Sequence, residues 1–310
     1  MKALVTGGAG FIGSHLVDAL VARGDEVVVV DDLSSGRREN LDEAIGAGVE
    51  LIEADVTDEQ AVAKTFEAHS PQLVFHLAAQ IDVRRSIAEP RFDLDVNVGS
   101  TIGLLERARE HRVERFVFAS TGGAIYGEGQ GQDLPLDESA GCRPEAHYGQ
   151  SKFTAEGYLA LYRRLYGLET TALRLGNVYG PRQDPHGEAG VVAIFTGALL
   201  EGRQPTVFGD GEQTRDYVYG VDVAAAFVAA SEHEGGGTFN IGTGNETSVL
   251  ELGAEIGRAT GREFDPVLAP ARLGEVQQIA IDAGLASREL GWSPRHDLAT
   301  GLEHTAASFR

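Results

Sequence analysis

The stretch ALVTGGAGFIGSHL, residues 3–16, joins an apolar run to an amphipathic one across Gly7, Gly10 and Gly13, spaced as GxxGxxG. In a chain with 40 glycines that spacing arises roughly 0.6 times by chance, so the motif alone decides little. Its position decides more. It follows a strand beginning at residue 2 and opens a helix, where glycines permit a tight turn and let a pyrophosphate approach the unpaired N–H groups of the helix N-terminus. The next β-branched run, EVVVVD (26–31), ends on Asp31, 18 residues after Gly13. A carboxylate there accepts hydrogen bonds from both hydroxyls of an adenosine ribose and repels a 2′-phosphate, which favours NAD over NADP. The competing reading is an ordinary strand-to-helix turn followed by solvated acids at 31 and 32.

Outward from this unit the same alternation continues. VELIEAD (49–55), LVFHLAA (73–79), RFVFAS (115–120) and TTALRL (170–175) read as further strands. Residues 11–24, 58–69, 96–111 and 148–166 carry the helical period between them. Strand, helix, strand in this order predicts right-handed crossovers and a Rossmann-type, doubly wound parallel sheet covered on both faces. After Asn177 turn-rich stretches such as YGPRQDPHGEAG (179–190) and FGDGEQTRD (208–216) separate shorter elements, which predicts a smaller C-terminal α/β lobe over the ligand. The expected division is residues 1–176 with about 216–241 for the dinucleotide, and 177–215 with 242–310 for the substrate. DYVYGVDVAAAFVAA (216–230) is expected to pack back on the first part.

Composition narrows the class. At 310 residues and 42% hydrophobic the chain buries a sizeable core. Its longest apolar stretch, near 191–200, is too short and interrupted to span a bilayer. With no signal-peptide pattern, a cytoplasmic protein is expected. Cys142 is the sole cysteine, which rules out an intrachain disulfide, and the 9 histidines form no HxH or HExxH pair, so no metal is expected. The formal net charge of -21 argues against nucleic acid as a partner and leaves local arginines to hold any anionic ligand.

YGQSK, residues 148–152, is the sharper chemical signal. Only Lys2, Lys64 and Lys152 are lysines among 26 basic residues, and with 8 tyrosines a YxxxK pair arises roughly 0.08 times by chance. Tyr148 and Lys152 lie one helical turn apart on one face. A tyrosine acting as base near neutrality needs its pKa, ordinarily about 10, lowered by nearby positive charge. A compact ammonium that also donates to a ribose hydroxyl suits that role better than a guanidinium. The alternative is a surface pair packing along a helix.

With these residues in place, the sequence resembles the extended branch of the short-chain dehydrogenase/reductase superfamily, in its NAD-dependent epimerase/dehydratase family, and most closely the nucleotide-sugar 4-epimerases of the UDP-glucose type. TGGAGFIGSHLVDAL, HLAAQ, FASTGGAIYG, YGQSK, RLGNVYGPRQ, GDGEQTRDYVY, FNIGTG and ELGWSP match it in order over nearly the whole chain. The resemblance implies reversible transfer of hydride from C4 of a UDP-hexose, UDP-glucose and UDP-galactose being the leading pair. Thr121, Tyr148 and Lys152 are then catalytic. The related 4,6-dehydratases carry carboxylates just after this threonine to eliminate water. Here those positions are Gly122 and Gly123, which cannot protonate a leaving hydroxyl.

The resemblance further implies a cofactor shell of Gly7, Gly10, Phe11, Ile12, Gly13, Asp31, Asp32, Leu33, Ser34, Ser35, Gly36, Asp55, Val56, Leu77, Ala78, Ala79, Gln80, Asn97, Ser120, Tyr148, Lys152, Leu175 and Val178. Asn97 also reads as a purely structural group. The substrate falls to Thr121, Tyr148, Asn177, Val192, Thr206, Phe208, Arg215, Arg272 and Glu275. Individually these have plainer readings: Arg215 paired with Asp216 or Glu212 at the surface, Asn177 a turn residue. The chain departs from the family pattern at His147, where proline is usual, and at Gly176, where an aromatic residue is common. The family's size-controlling position falls on Ile279. A homodimer through helices near 92–111 and 148–166 is a family expectation. Rival readings are an epimerase of UDP-glucuronate or UDP-N-acetylglucosamine, and a non-catalytic NAD-binding redox sensor, which would need the glycine loop but not Thr121, Tyr148 and Lys152 together.

Overall fold

In the computed structural model, which describes residues 1–129, 131–185, 190–271 and 276–310, the strands follow the expected order. They are β1 (Lys2–Thr6), β2 (Glu26–Asp31), β3 (Glu50–Glu53), β4 (Leu73–His76), β5 (Arg115–Thr121), β6 (Glu169–Leu175), β7 (Asn177–Tyr179), β8 (Thr206–Phe208), β9 (Thr214–Arg215), β10 (Tyr217–Tyr219), β11 (Gly237–Ile241), β12 (Thr247–Ser248) and β13 (Val267–Ala269). One sheet carries seven of them in the order β11-β6-β5-β4-β1-β2-β3, and every pairing in it is parallel.

Alternating side chains explain why both faces are covered. Ala3 and Val5, Val27 and Val29, Phe75 and Val117 enter one apolar cluster with Leu16, Val17 and Leu20 of helix Phe11–Arg23 and Val223 and Phe227 of helix Gly220–Glu232. Leu4, Val28, Val30, Val74, Phe116 and Phe118 enter the other, against Phe66 of helix Glu59–His69, Leu104 of Ser100–Glu110 and Leu159 of His147–Tyr166. The period of two along each strand sends consecutive residues to opposite layers. Each fully buried aliphatic or phenyl side chain stabilises by roughly 1.5–3 kcal/mol. The segment 216–230 does return to the first part, through Val218, Val223 and Phe227.

Chain order and strand order part company at β1, which has β2 on one side and β4 on the other. In such sheets a crevice opens at the carboxyl ends of the strands where the winding reverses. Two strands end earlier than the apolar pattern suggests. β4 stops at His76 because the N–H groups of Leu77 and Ala78 both turn to the carbonyl of Thr6, each at 3.1 Å. Beyond β3, Asp55 accepts from the Thr57 N–H at 2.8 Å, closing a turn. The helix expected over 96–111 is regular only from Ser100, after a π-helical turn at Asp95–Gly99.

A third apolar cluster joins Tyr179, Val192, Phe195, Val207, Tyr217, Leu252 and Leu302. It lies among β7, β8, β10 and the helices Val191–Leu200, Val249–Thr260 and Leu298–Ser308. Ser248 and Glu251 form a reciprocal cap at the second of these helices. Among the described residues no helix is long and apolar enough to cross a membrane.

Candidate active site

Along the carboxyl edge of the sheet the expected cofactor residues come together. Gly7 has φ +71° and a Cβ there would lie 2.6 Å from the Ala78 nitrogen, while a Cβ on Gly13 would lie 2.1 Å from the Gly7 carbonyl. At Gly10 a Cβ would meet only that same carbonyl, at 3.2 Å. It would instead fill the concavity before helix Phe11–Arg23, whose N-terminus has no side-chain cap. These residues fit a dinucleotide pyrophosphate: the first and third glycines let the chain close on itself, and the second leaves the cradle open.

Asp31 at the end of β2 is buried and accepts from the N–H groups of Ala9 and Leu33, both at 2.9 Å. Burial raises its pKa, and those two N–H groups pull against the rise. The carboxylate thus shapes the glycine loop. Asp32 caps the following turn, accepting from the Ser34 N–H at 3.0 Å and its hydroxyl at 2.7 Å. Ser35 and Gly36 complete this turn, and a Cβ on Gly36 would press 2.7 Å from Asp31 Oδ1. Asp55 and Val56 follow β3, Leu77 to Gln80 follow β4, Leu175 ends β6 and Val178 sits in β7.

Asn97 is wholly engaged. Its Nδ2 donates to the Gln80 carbonyl (2.9 Å), Asp93 Oδ1 (3.1 Å) and Ser151 Oγ (3.2 Å), and its Oδ1 accepts from the Gln80 N–H at 3.0 Å. It ties the end of β4 to helix His147–Tyr166, the structural reading of this residue.

Thr121 closes β5, and Tyr148 and Lys152 stand a turn apart on helix His147–Tyr166. Burial pushes Tyr148 up to about 12, and its hydrogen bond with Thr121 acts in the opposite direction. Lys152 is 2% exposed. Burial draws it down to about 7, while the negative charges of Asp93 and Glu156 work against the fall. Its Nζ donates to the Ala119 carbonyl at 2.9 Å and stands 4.6 Å from the Phe118 ring centroid. The negative charge of Asp93 adds to the rise at Tyr148. His147, in place of the usual proline, is the exposed first residue of this helix, where a fixed φ would have been pre-organised.

Three buried charged residues escape a reading of the sequence. Asp93 accepts from Gln80 Nε2 at 3.0 Å as well as from Asn97. Glu156, four residues beyond Lys152, accepts the Ser120 hydroxyl at 2.6 Å and pairs with Arg174 of β6 at 2.7 Å. Ser120 thus spends its hydroxyl on Glu156. The available signals are an i, i+4 extension of the Tyr148–Lys152 row and an arginine inside the apolar run TTALRL.

A cavity of about 400 Å³ opens beside this edge, with Asn177, Thr206, Phe208 and Arg215 in its walls. Val191, Ile194, Gln204, Gln213 and Tyr217 complete much of the lining. Val192 is instead buried in the cluster behind the wall, and its neighbour Val191 faces the space. Arg215 donates to the Thr214 carbonyl at 2.7 Å, whereas the buried Asp216 carboxylate accepts from the Thr243 hydroxyl at 2.6 Å and the Gly244 N–H at 3.0 Å. Gly176 is small for a reason: a Cβ there would lie 2.9 Å from the Asp216 carbonyl. Arg272 and Glu275 lie outside the described residues. Ile279 is buried with Ile125, Tyr126, Leu136 and Ile281 and does not line this cavity. Among the described residues no group of three His, Cys, Asp or Glu is gathered to hold a metal.

Residues 3–242 match the model of the NAD dependent epimerase/dehydratase family. The chain belongs to that family. A UDP-glucose 4-epimerase of Mycolicibacterium smegmatis is 48% identical over 312 residues, covering 100% of this chain and 99% of the relative. The crystal structure of a UDP-glucose 4-epimerase with UDP-glucose from Thermotoga maritima superposes with a TM-score of 0.96 at 46% identity, covering 100% of this chain and 98% of that one. That of the Thermus thermophilus UDP-glucose 4-epimerase with NAD gives 0.92 at 42% identity, covering 100% and 99%.

The family name spans two reactions, and the loop after β5 separates them. A Cβ on Gly122 would stand 2.6 Å from Ile281 Cδ1 and 3.3 Å from the Leu175 carbonyl; one on Gly123 would stand 3.3 Å from Asn177 Oδ1. Neither position carries a carboxylate, and at the first of them a side chain would have to displace the tip of Ile281.

Proposed function

We propose that this protein is an NAD-dependent 4-epimerase of a nucleotide sugar that interconverts UDP-glucose and UDP-galactose through a 4-keto intermediate. The observation that carries this is the loop Thr121–Gly122–Gly123 beside Tyr148: a hydroxyl pair suited to a sugar hydroxyl, with no acid able to expel water.

The glycine loop and Asp31 would hold NAD, which would supply the acceptor that takes hydride from C4 and returns it to the opposite face. Tyr148 receives the 4-hydroxyl proton and later returns it, with Thr121 holding the same sugar oxygen. Lys152 anchors the strand end through the Ala119 carbonyl and would set its positive charge between Tyr148 and the cofactor ribose. The 4-keto sugar turns while its nucleotide stays in the cavity, where Phe208 and Thr206 border the base and Arg215 offers charge to the diphosphate.

Residues 1–176 with about 216–241 are assigned to NAD, and 177–215 with 242–310 to the nucleotide sugar; the apolar clusters cross this division, Ala286 and Trp292 packing with the first part and Tyr217 and Tyr219 with the second. The protein is further placed in the cytoplasm, in carbohydrate metabolism, and as a homodimer. Exposed Ile87, Phe92 and Leu94 together with Phe153, Leu165 and Tyr166 of helix His147–Tyr166 offer an apolar surface suited to a second copy.

Proton NMR of the purified protein with UDP-galactose, without and then with added NAD, tests the reaction. Growth of the UDP-glucose anomeric signal is expected. Its appearance without added NAD would show that cofactor travels with the protein. Silence in both samples with NAD binding intact would reject this sugar pair.

A further inference from the structure

We infer that the buried Glu156–Arg174 pair is a positioning device that fixes where Thr121 stands relative to Tyr148; this role rests on the epimerase reading. Glu156 and Arg174 have side chains only 6% and 7% exposed. Arg174 NH2 lies 2.7 Å from Glu156 Oε2, and its Nε donates to Oε1 at 3.0 Å. Ion pairs this deeply buried seldom add net stability over apolar residues of similar volume. Their geometry, by contrast, is directional. Here it is spent on the loop that carries Thr121.

The pair grips that loop at both ends. Before Thr121, the Ser120 hydroxyl donates to Glu156 Oε1 at 2.6 Å. After the short helix Gly122–Ile125, Arg174 NH1 donates to the Tyr126 hydroxyl at 2.8 Å, which in turn donates to Asn240 Oδ1 at 2.7 Å. Asn240 is itself fixed, donating through Nδ2 to the Leu136 carbonyl at 2.9 Å.

Glu156 also belongs to the helix of the proposed base. Residues 148, 152 and 156 recur every four positions and share a face. Along that face Lys152 holds the Ala119 carbonyl and Glu156 holds Ser120, so consecutive residues of β5 are bound to one helix immediately before Thr121. The Thr121 to Tyr148 geometry is thus set by a lattice whose other anchor, Arg174, comes from β6. Displacements of about 1 Å in such a lattice cost on the order of 100-fold in rate.

The test uses the full-length protein with its NAD and two variants. Glu156→Gln/Arg174→Met removes both charges together, so that neither is left buried alone; Ser120→Ala removes only the link to the loop. Both are expected to lower kcat by about 10–100-fold with KM for UDP-galactose within about threefold and NAD content unchanged, a split that marks lost transition-state geometry. Amide hydrogen exchange over residues 119–127 is expected to quicken in both. A folded double variant with wild-type kcat and exchange would overturn the proposal. If the double variant does not fold, Ser120→Ala decides: unchanged kcat and exchange reject the role. Wild-type protein that fails to convert UDP-galactose would instead sink the epimerase reading, and the exchange result would still show whether the pair holds the loop.

Discussion

Lys152 Nζ donates to the carbonyl of Ala119 at 2.9 Å, two residues before Thr121. A side chain on the helix and a main-chain group on the strand end thereby lock the two halves of the hydroxyl pair to each other. Lys152 thus has a structural task here.

Tyr148→Phe removes the hydroxyl proposed to take the sugar proton and leaves the ring in place. Turnover of UDP-galactose is expected to fall by at least about 100-fold while NAD and substrate still bind. Turnover at the wild-type level would remove Tyr148 from the role of base.

Asp31→Ala deletes the acceptor for the Ala9 and Leu33 N–H groups and the carboxylate proposed to take the ribose hydroxyls. Weaker NAD binding and relaxed discrimination against NADP are expected, readable by titrating both dinucleotides. Equal affinities before and after would take Asp31 out of the ribose site.

Gly7→Ala places a methyl group 2.6 Å from the Ala78 nitrogen at a φ of +71°. Neither the left-handed backbone nor the clash is easily relieved, so a loss on the order of 2–4 kcal/mol is expected in urea unfolding. Retained stability with full NAD content would mean that β4 and the loop yield more freely than their contacts suggest.

Arg215→Ala removes positive charge from the cavity wall. KM for the nucleotide sugar is expected to rise by about 10–100-fold with NAD content unchanged, the range for a hydrogen bond to a charged group. An unaltered KM would place the diphosphate elsewhere.

His76 lies within 2.8 Å of the Thr6 hydroxyl and 3.0 Å of the Thr101 hydroxyl, and burial draws its pKa down to about 3. Unfolding therefore lets it gain a proton between the free-histidine value and about 3. Stability is fully present above about pH 6.5 and is lost as pH falls through that window, by a few kcal/mol in all. His76→Gln, which keeps a donor and an acceptor, is expected to flatten the fall measured by urea midpoints between pH 7 and 4.5. The same slope in both proteins would assign the acid sensitivity to other groups.

Signals carried by neighbours in sequence were the ones legible without coordinates. The glycine turn, the strand ending at Asp31 and the Tyr148–Lys152 spacing are local, and their geometry follows from helix and strand periods. Glu156 and Arg174 have meaning only once β5, β6 and a helix are brought together, so an ordinary-looking glutamate hid half of the pair. Val192 and Val191 were indistinguishable because VVAIFTGALL is apolar nearly all round, and no helical phase in it tells cavity from core. Ile279 sits in an irregular segment, where periodicity offers nothing to orient a side chain. The early end of β4 at His76 likewise depends on a long-range acceptor, the Thr6 carbonyl.

The contact between Gly122 and Ile281 also limits the routes by which this sequence can change. A carboxylate needed for elimination must enter at or beside a position where even a methyl group meets Ile281 at 2.6 Å. The atom met is the tip of a flexible side chain, so Ile281 has to turn aside for any replacement at 122, whereas a Cβ on Gly123 meets only Asn177 Oδ1, at 3.3 Å. Elimination needs both an acid and a base, so the two activities sharing this scaffold stand at least two substitutions apart, with 123 the easier point of entry.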